Sequence, residues 1–267
     1  MDRLNKTLMA VWTAAGFAYL LLPLIFVVWM SFFSNEIPYL PPQGYTLDWY
    51  AAAFTRGRFA ESFMFSLYVA LIATALGLAV SVPATIALRH ARSRLAGSIV
   101  QLLTAPLIVP TIVIGAGIYV TLVMFEIATS WPVVGSLWAL GLAHVLMTIP
   151  WCVRLLLANL ASVDGSIEEA AASLGASPLA TLFKVTLPLI WSGVVAAGLF
   201  SFVVSFGNIE LSLFLVAPGS TTLPIAILQY LEWKLDPTVA AVSVAQIALI
   251  AAGLLIADRY VKLTRVV

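Results

Sequence analysis

The sequence predicts an all-α membrane protein with six transmembrane helices, and two observations carry that prediction. Hydrophobic residues make up 62% of the 267 and charged residues only 9%, with a mean hydropathy of +1.06. Soluble domains carry about a quarter charged residues, so a chain this apolar needs lipid over most of its surface. The apolar residues also fall in six runs, at about 8–33, 62–88, 98–125, 134–157, 186–217 and 238–257. Each is long enough to cross a hydrocarbon core of ~30 Å as a helix. The alternative, a closed barrel, would show alternating segments of about ten residues, and none occur.

Taken in order, the first run follows a short basic start with Arg3 and Lys6. A signal peptide has an apolar stretch of about 7–15 residues and then a small-x-small cleavage site. This run is longer and no such site follows, which predicts a retained first span over 1–33. An outer loop at 34–61 contains Pro38, Pro41, Pro42 and Gly44. The membrane core then covers 62–257, and a tail covers 258–267. Pro23, Pro83, Pro106, Pro110 and Pro150 lie in or near the ends of spans, where a helix bundle tolerates them as kinks. A second outer segment, 218–237, carries Pro218-Gly219 and Thr222-Leu223-Pro224.

Basic residues set the orientation. Arg3, Lys6, Arg89, Arg92, Arg94, Arg154, Lys184, Arg259, Lys262 and Arg265 fall on one side, and Arg56, Arg58 and Lys234 on the other. The positive-inside rule then puts both termini in the cytoplasm, which requires an even number of spans. The longest cytoplasmic connection is 158–185.

The same composition excludes other chemistry. A net charge of +1 gives no field for nucleic acid or another polyanion. The single cysteine, Cys152, rules out an internal disulfide or a multi-thiolate site. His90 and His144 are too far apart in sequence to form a helical metal-ligand pair, so no metal is expected.

The connection at 158–185 reads as two short helices. Ser166 followed by Glu169 is a capping-box pattern, and Ile167, Ala170, Ala171 and Leu174 share one helical face. Gly175 marks the stop, and Ser177-Pro178 marks a restart with Ser at the cap and Pro at the first helical position. A small apolar stripe built on alanine suits close docking against a partner.

The string Glu169-Ala170-Ala171, three residues, Gly175, nine residues, then Val185-x-Leu187-Pro188 resembles the EAA signature of membrane subunits of binding-protein-dependent ATP-binding-cassette importers. The resemblance implies the type I importer permease (MetI-like) fold. It implies that this loop couples the spans to a separate ATPase dimer, with Glu169, Ala170, Ala171, Gly175 and Leu187 as coupling residues and Pro188 setting the turn into span five. For Glu169 a second reading, capping its own helix, is compatible with the first. The segments Ser205-Phe206, Leu213-Phe214-Leu215, Pro218-Gly219, Thr222-Leu223-Pro224 and Asp236-Pro237-Thr238-Val239-Ala240-Ala241 resemble the second permease of spermidine/putrescine-type systems. That implies a paired second permease, an extracytoplasmic solute-binding protein, and a bacterial inner membrane. After Ser205, polyamine permeases often carry acids where this chain has Gly207 and Asn208; an acid appears instead at Glu210.

Glu210 within span five costs about 3 kcal/mol at mid-membrane unless it faces a cavity or partner. Two readings stand: Glu210, with Ser205 and Asn208, lines the substrate path and favours a cation, or it bonds a neighbouring helix. Glu126 and Glu61 read as interfacial or solvated acids, His144 as a satisfied core histidine, and Cys152 as a small buried residue. Trp131, Trp138 and Trp233 read as interface anchors.

The leading expectation is an importer permease that performs no covalent chemistry. The chain has no G-x4-G-K-[S/T] string, so ATP would be bound by a separate polypeptide and no cofactor by this one. Within this class a polyamine-like cation is the favoured cargo, with phosphonates, amino compounds and ferric complexes as alternatives. A self-contained secondary transporter would favour internal repeats and paired midplane charges, which are not seen. A membrane enzyme would need a nucleophile with its base, or a metal pair.

Overall fold

With no water in a hydrocarbon core, each span must satisfy its own backbone, and helices do this locally. The computed structural model describes residues 3–55, 59–91 and 94–261. Arg56, Arg58, Arg92, Lys262 and Arg265 therefore lie outside the described residues. Helix α1 (Arg3–Met30) is followed by α2 (Asp48–Thr55), α3 (Phe59–His90), α4 (Arg94–Thr104), α5 (Thr111–Thr129) and α6 (Leu137–Ala161). A connection bearing α7 (Ser166–Ser173), α8 (Pro178–Thr181), a π turn at Leu182–Thr186 and α9 (Leu187–Leu189) leads into α10 (Trp191–Phe206). Then come α11 (Ser212–Leu215), α12 (Leu223–Leu231) and α13 (Thr238–Val261). Among the described residues the only extended pairings are isolated bridges, Phe33 with Tyr45 and Ala217 with Ser220.

Among the described residues five helices are long and apolar enough to cross a membrane: α1, α3, α5, α6 and α13. Pro178–Leu189 and Trp191–Phe206, bent by 65°, supply a sixth when counted as one span. Two spans differ from their predicted form. The run at 98–125 is not one helix: α4 passes through a 3-10 turn at Ala105–Leu107, and α5 starts afresh at Thr111 behind Pro110. Proline disfavours helical backbone in the residue before it and cannot donate an N–H, so Pro110 ends one helix and caps the next. The run at 186–217 likewise ends as a helix at Phe206. Residues 207–211 are irregular, so Glu210 stands in a break and does not share a helical face with Phe206. Hydropathy averaged over the length of a span cannot see either break, because long apolar stretches flank both.

The chain divides into two compact units, Met1–Ala60 with Ile227–Leu249, and Glu61–Ala226 with Ile250–Val267. In the first, the outer segment is tied back to the end of α1. Ser34 N donates to Gly44 O at 3.0 Å and Thr46 N to Phe32 O at 2.8 Å. Trp49 Nε1 donates to Phe33 O at 2.6 Å, and Ser31 Oγ meets Tyr50 OH at 2.7 Å. Asp236 accepts from Tyr230 OH at 2.7 Å and from Thr238 N at 3.0 Å, which caps α13.

In the second unit α6 is the central helix. One cluster joins Val69, Leu140, Ala143, Met147, Leu211 and Leu215; another joins Cys152, Leu156 and Ala197. Cys152 is buried as expected, with Sγ 3.0 Å from Ser201 Oγ. Close helix approach depends on small residues. A Cβ on Gly77 of α3 would stand 2.5 Å from Thr148 Oγ1, and one on Gly193 of α10 would stand 2.5 Å from Asn159 Cγ.

Candidate functional site

The α7 connection has the predicted two-helix form with a different cap. Gly165 is the N-cap residue and Ser166 is already helical; the first N–H groups are served by Asp164, whose Oδ1 accepts from Ser166 N at 2.9 Å. The N–H and hydroxyl of Ser166 favour the ionised form and hold the Asp164 carboxyl below its ordinary range. Glu169 takes no part in the cap, and its carboxylate is exposed. The stop at Gly175 is a Schellman turn: Gly175 N donates to Ala172 O at 2.9 Å and Ala176 N to Ala171 O at 3.1 Å. Its φ of 86° is a conformation that a side chain would strain. Ser177 Oγ then accepts from Ala180 N at 3.3 Å, the predicted second cap.

Docking chemistry is on the surface of this loop. Ala170 and Gly175 are exposed and Ala171 is half-buried, while the apolar side chains of Leu174, Leu179 and Phe183 are 90%, 68% and 64% exposed. Water-facing apolar area of this size, set among small residues, favours a covering surface. Leu187 and Pro188 line a groove of about 430 Å³ at the 65° bend, together with Trp191 and with Phe183 of that surface.

The breaks in the two divided spans face a common cavity of about 630 Å³. Pro106, Leu107, Val109 and Thr111 come from the first break, Gly207, Asn208, Ile209 and Glu210 from the second, and Met147 and Trp151 from α6. Irregular backbone at membrane depth is tolerated where it is buried in protein or lines a wet cavity, and such breaks offer polar groups to a solute. The lining holds one carboxylate, one indole and one carboxamide, and no Lys or Arg. It can accept a cation by charge and by the ring face of Trp151, which packs against Phe200 at 4.8 Å. A larger groove of about 710 Å³ between α6, α10 and the second half of α13 has no ionisable residue in its lining.

Ser205 does not join Asn208 and Glu210 in that cavity. It is buried, and its Oγ lies 2.8 Å from His144 Nδ1, while His144 Nε2 lies 3.2 Å from Ser212 Oγ. Ser212 Oγ donates to Asn208 O at 3.0 Å, so Nε2–H donates to Ser212 and Nδ1 accepts from Ser205. Asn208 Oδ1 also accepts from Leu211 N at 2.9 Å. His144 is thus the satisfied core histidine expected, and it also splints the break that presents Asn208 and Glu210.

Residues 81–266, more than two thirds of the chain, match the family of the binding-protein-dependent transport system inner membrane component. The chain belongs to that family. It is 29% identical over 229 residues to the putrescine transport system permease protein PotI of Escherichia coli (strain K12), covering 85% of this chain and 81% of that one. It is 30% identical over 209 residues to the transport system permease protein PhnV of Salmonella paratyphi A (strain ATCC 9150 / SARB42), named for 2-aminoethylphosphonate, covering 78% and 77%. A bacterial alginate ABC transporter, solved in complex with an alginate pentasaccharide-bound periplasmic protein, shares its fold, with a TM-score of 0.73, 14% identity, and 96% and 93% coverage.

This permease is thus a subunit of an ABC importer with the MetI-like fold. Two residues central to its α7 connection escaped the sequence reading. Glu168, adjacent to the signature acid, accepts from Thr186 Oγ1 at 2.6 Å, and Arg89 at the end of α3 lies 4.0 Å from the same oxygen. Glu126 also has a structural part. Its Oε1 accepts from Val133 N at 2.5 Å and Val134 N at 2.6 Å, and so shapes the α5–α6 connection. The spacing rules examine a cap residue against its third neighbour, and none of these partners lies at that distance.

Proposed function

We propose that this permease imports a small organic cation of polyamine type, carried through the cavity at the two helix breaks. The observation that carries the reading is Glu210 in a lining without any basic residue. An ammonium group would meet the carboxylate and the Trp151 ring, and a second amine could bond Asn208; an anionic solute would find no cationic partner there. Both termini face the cytoplasm of a bacterial cell, and α7 lies on the same side. There α7 docks on a separate ATPase dimer through Glu169, Ala170, Ala171 and Gly175. ATP binds to that dimer, because this chain has no phosphate-cradling loop. A second permease completes the path, and an extracytoplasmic solute-binding protein delivers the cargo to the outer segments.

Uptake by the full complex in proteoliposomes tests the cargo. With Glu210→Gln, putrescine uptake should fall at least tenfold at fixed ATP turnover, the loss of one close charge pair in a partly desolvated site. Unchanged affinity and rate would remove Glu210 from the path, and robust phosphonate uptake without amine uptake would replace the cation reading. Glu169→Ala should leave membrane insertion intact and reduce ATPase association or coupled uptake.

A further inference from the structure

Glu168 and Glu169 are adjacent acids in the same helical turn with opposite environments. Glu169 faces solvent, whereas the side chain of Glu168 is 12% exposed and that of Arg89 17%. Thr186, 3% exposed, donates its hydroxyl to Glu168 Oε1 at 2.6 Å. Arg89 Nη1 stands 4.0 Å from that oxygen, and Arg89 Nη2 donates to Val163 O at 2.7 Å. These four residues belong to four places in the fold. Arg89 is in the last turn of α3, Val163 follows α6, Glu168 is in α7, and Thr186 closes the π turn that leads into the bent fifth span.

Withdrawing a carboxylate and a guanidinium from water costs more than a surface pair returns, so such a pair is weak as a source of stability and strong as a fixer of position. The π turn belongs to the same region, and such turns recur where a helix serves function. Without these contacts α7 would be held to α6 by the short link at 162–165 and to α10 through α8, and either connection could flex and absorb a push on α7.

We propose that Arg89, Glu168 and Thr186 form an internal latch that passes displacement of α7 to the end of α3 and to the base of the bent fifth span. The latch rests on the reading of α7 as the ATPase-docking element and extends it from the docking surface to the route of transmission inside the chain. Arg89 and Glu168 are positioning residues; neither touches cargo or nucleotide.

The test uses the full complex of permeases, ATPase and binding protein in proteoliposomes, and its readout is ATP hydrolysed per putrescine imported. Arg89→Ala and Glu168→Gln should each raise that ratio about fivefold or more, with the ATPase still co-purifying and hydrolysing ATP. Arg89→Lys should recover part of the coupling. The double variant Arg89→Ala/Glu168→Gln should be no worse than either single change, because both break one unit. Where a single variant lowers the yield of assembled complex, Thr186→Val decides, because it removes the hydroxyl donor at nearly constant volume: a raised ratio supports the latch, and an unchanged ratio overturns it. Unchanged ratios in both singles, or effects that add in the double variant, also overturn it. Glu169→Ala run in parallel separates the two levels. A defect there with normal Arg89 and Glu168 variants overturns the latch alone; no defect in any of the three overturns the docking reading as well.

Discussion

The spans in α1 and α6 run to 26 and 25 residues and both are apolar enough to cross a bilayer, yet none of the apolar stretch of α1 is buried inside the chain, against 61% for α6. The difference lies in polar bonds between helices, since both helices carry small residues. Along α6, His144, Thr148 and Cys152 reach Ser205, Ser212, Ala73 and Ser201 on other helices, while Thr13 of α1 turns its hydroxyl back to Met9 of its own helix. Lipid tails are as apolar as leucine, so hydrophobicity does not choose which helix goes inside. Close packing and polar bonds between helices make that choice. Hydrophobic length makes a span; what interrupts the hydrophobicity makes a core.

The sharpest way to break this comparison is to crowd α6. Gly77→Val places a branched side chain where Thr148 Oγ1 already stands, and should destabilise the permease by about 3 kcal/mol, read as a lower midpoint in detergent unfolding. Next in size, His144→Leu keeps the volume but strips the bonds to Ser205 and Ser212. A loss of about 1–2 kcal/mol is expected by the same measurement, with weaker solute uptake as Asn208 loses its splint. Leu20→Ala in α1 should cost under ~0.5 kcal/mol in the isolated chain, because that side chain is already 68% exposed. A loss comparable to that of the Gly77 and His144 variants would erase the distinction. A loss confined to the assembled complex would show that another subunit covers α1.

The smallest effect is a pH dependence at the start of α7. The Asp164 carboxyl is lowered by the N–H and hydroxyl of Ser166, so its contribution to the helix start is complete above the ordinary carboxylate pKa of about 3.9. It is lost as pH falls through the lowered folded value. Amide-exchange protection of residues 166–169, corrected for intrinsic rate, should be flat from neutral pH down to about 5 and fall in acid. Asp164→Asn should abolish that acid limb, and an unchanged profile in the variant would assign the cap elsewhere.

The two regions of the site were unequally legible for the same reason that the two helices differ. The α7 connection obeys local rules: Gly175 stops a helix because its backbone is left-handed, and Ser177-Pro178 starts one because a hydroxyl can accept and a proline has no donor to lose. Even at its start the departure is small: Asp164 accepts from the Ser166 N–H that a capping box would assign to Glu169, and the Glu169 N–H goes to Gly165 O. The cavity obeys no local rule. Pro106 and Pro110 looked like kinks within one span, and Gly207 and Asn208 looked like substitutions along another. Each pair ends a helix instead, and the meaning of the breaks lies in their facing each other across α6.

Composition and periodicity by themselves determined that the chain crosses a membrane about six times, and the signature spacing pointed to its family, because hydrophobic length and helix capping are properties of contiguous residues. Only the tertiary structure decided which spans are interior, that Glu210 stands in a break and not on a helix face, and that Glu168 and Arg89 meet. Those facts depend on side chains up to 79 positions apart being held within a few ångströms, which no local pattern encodes.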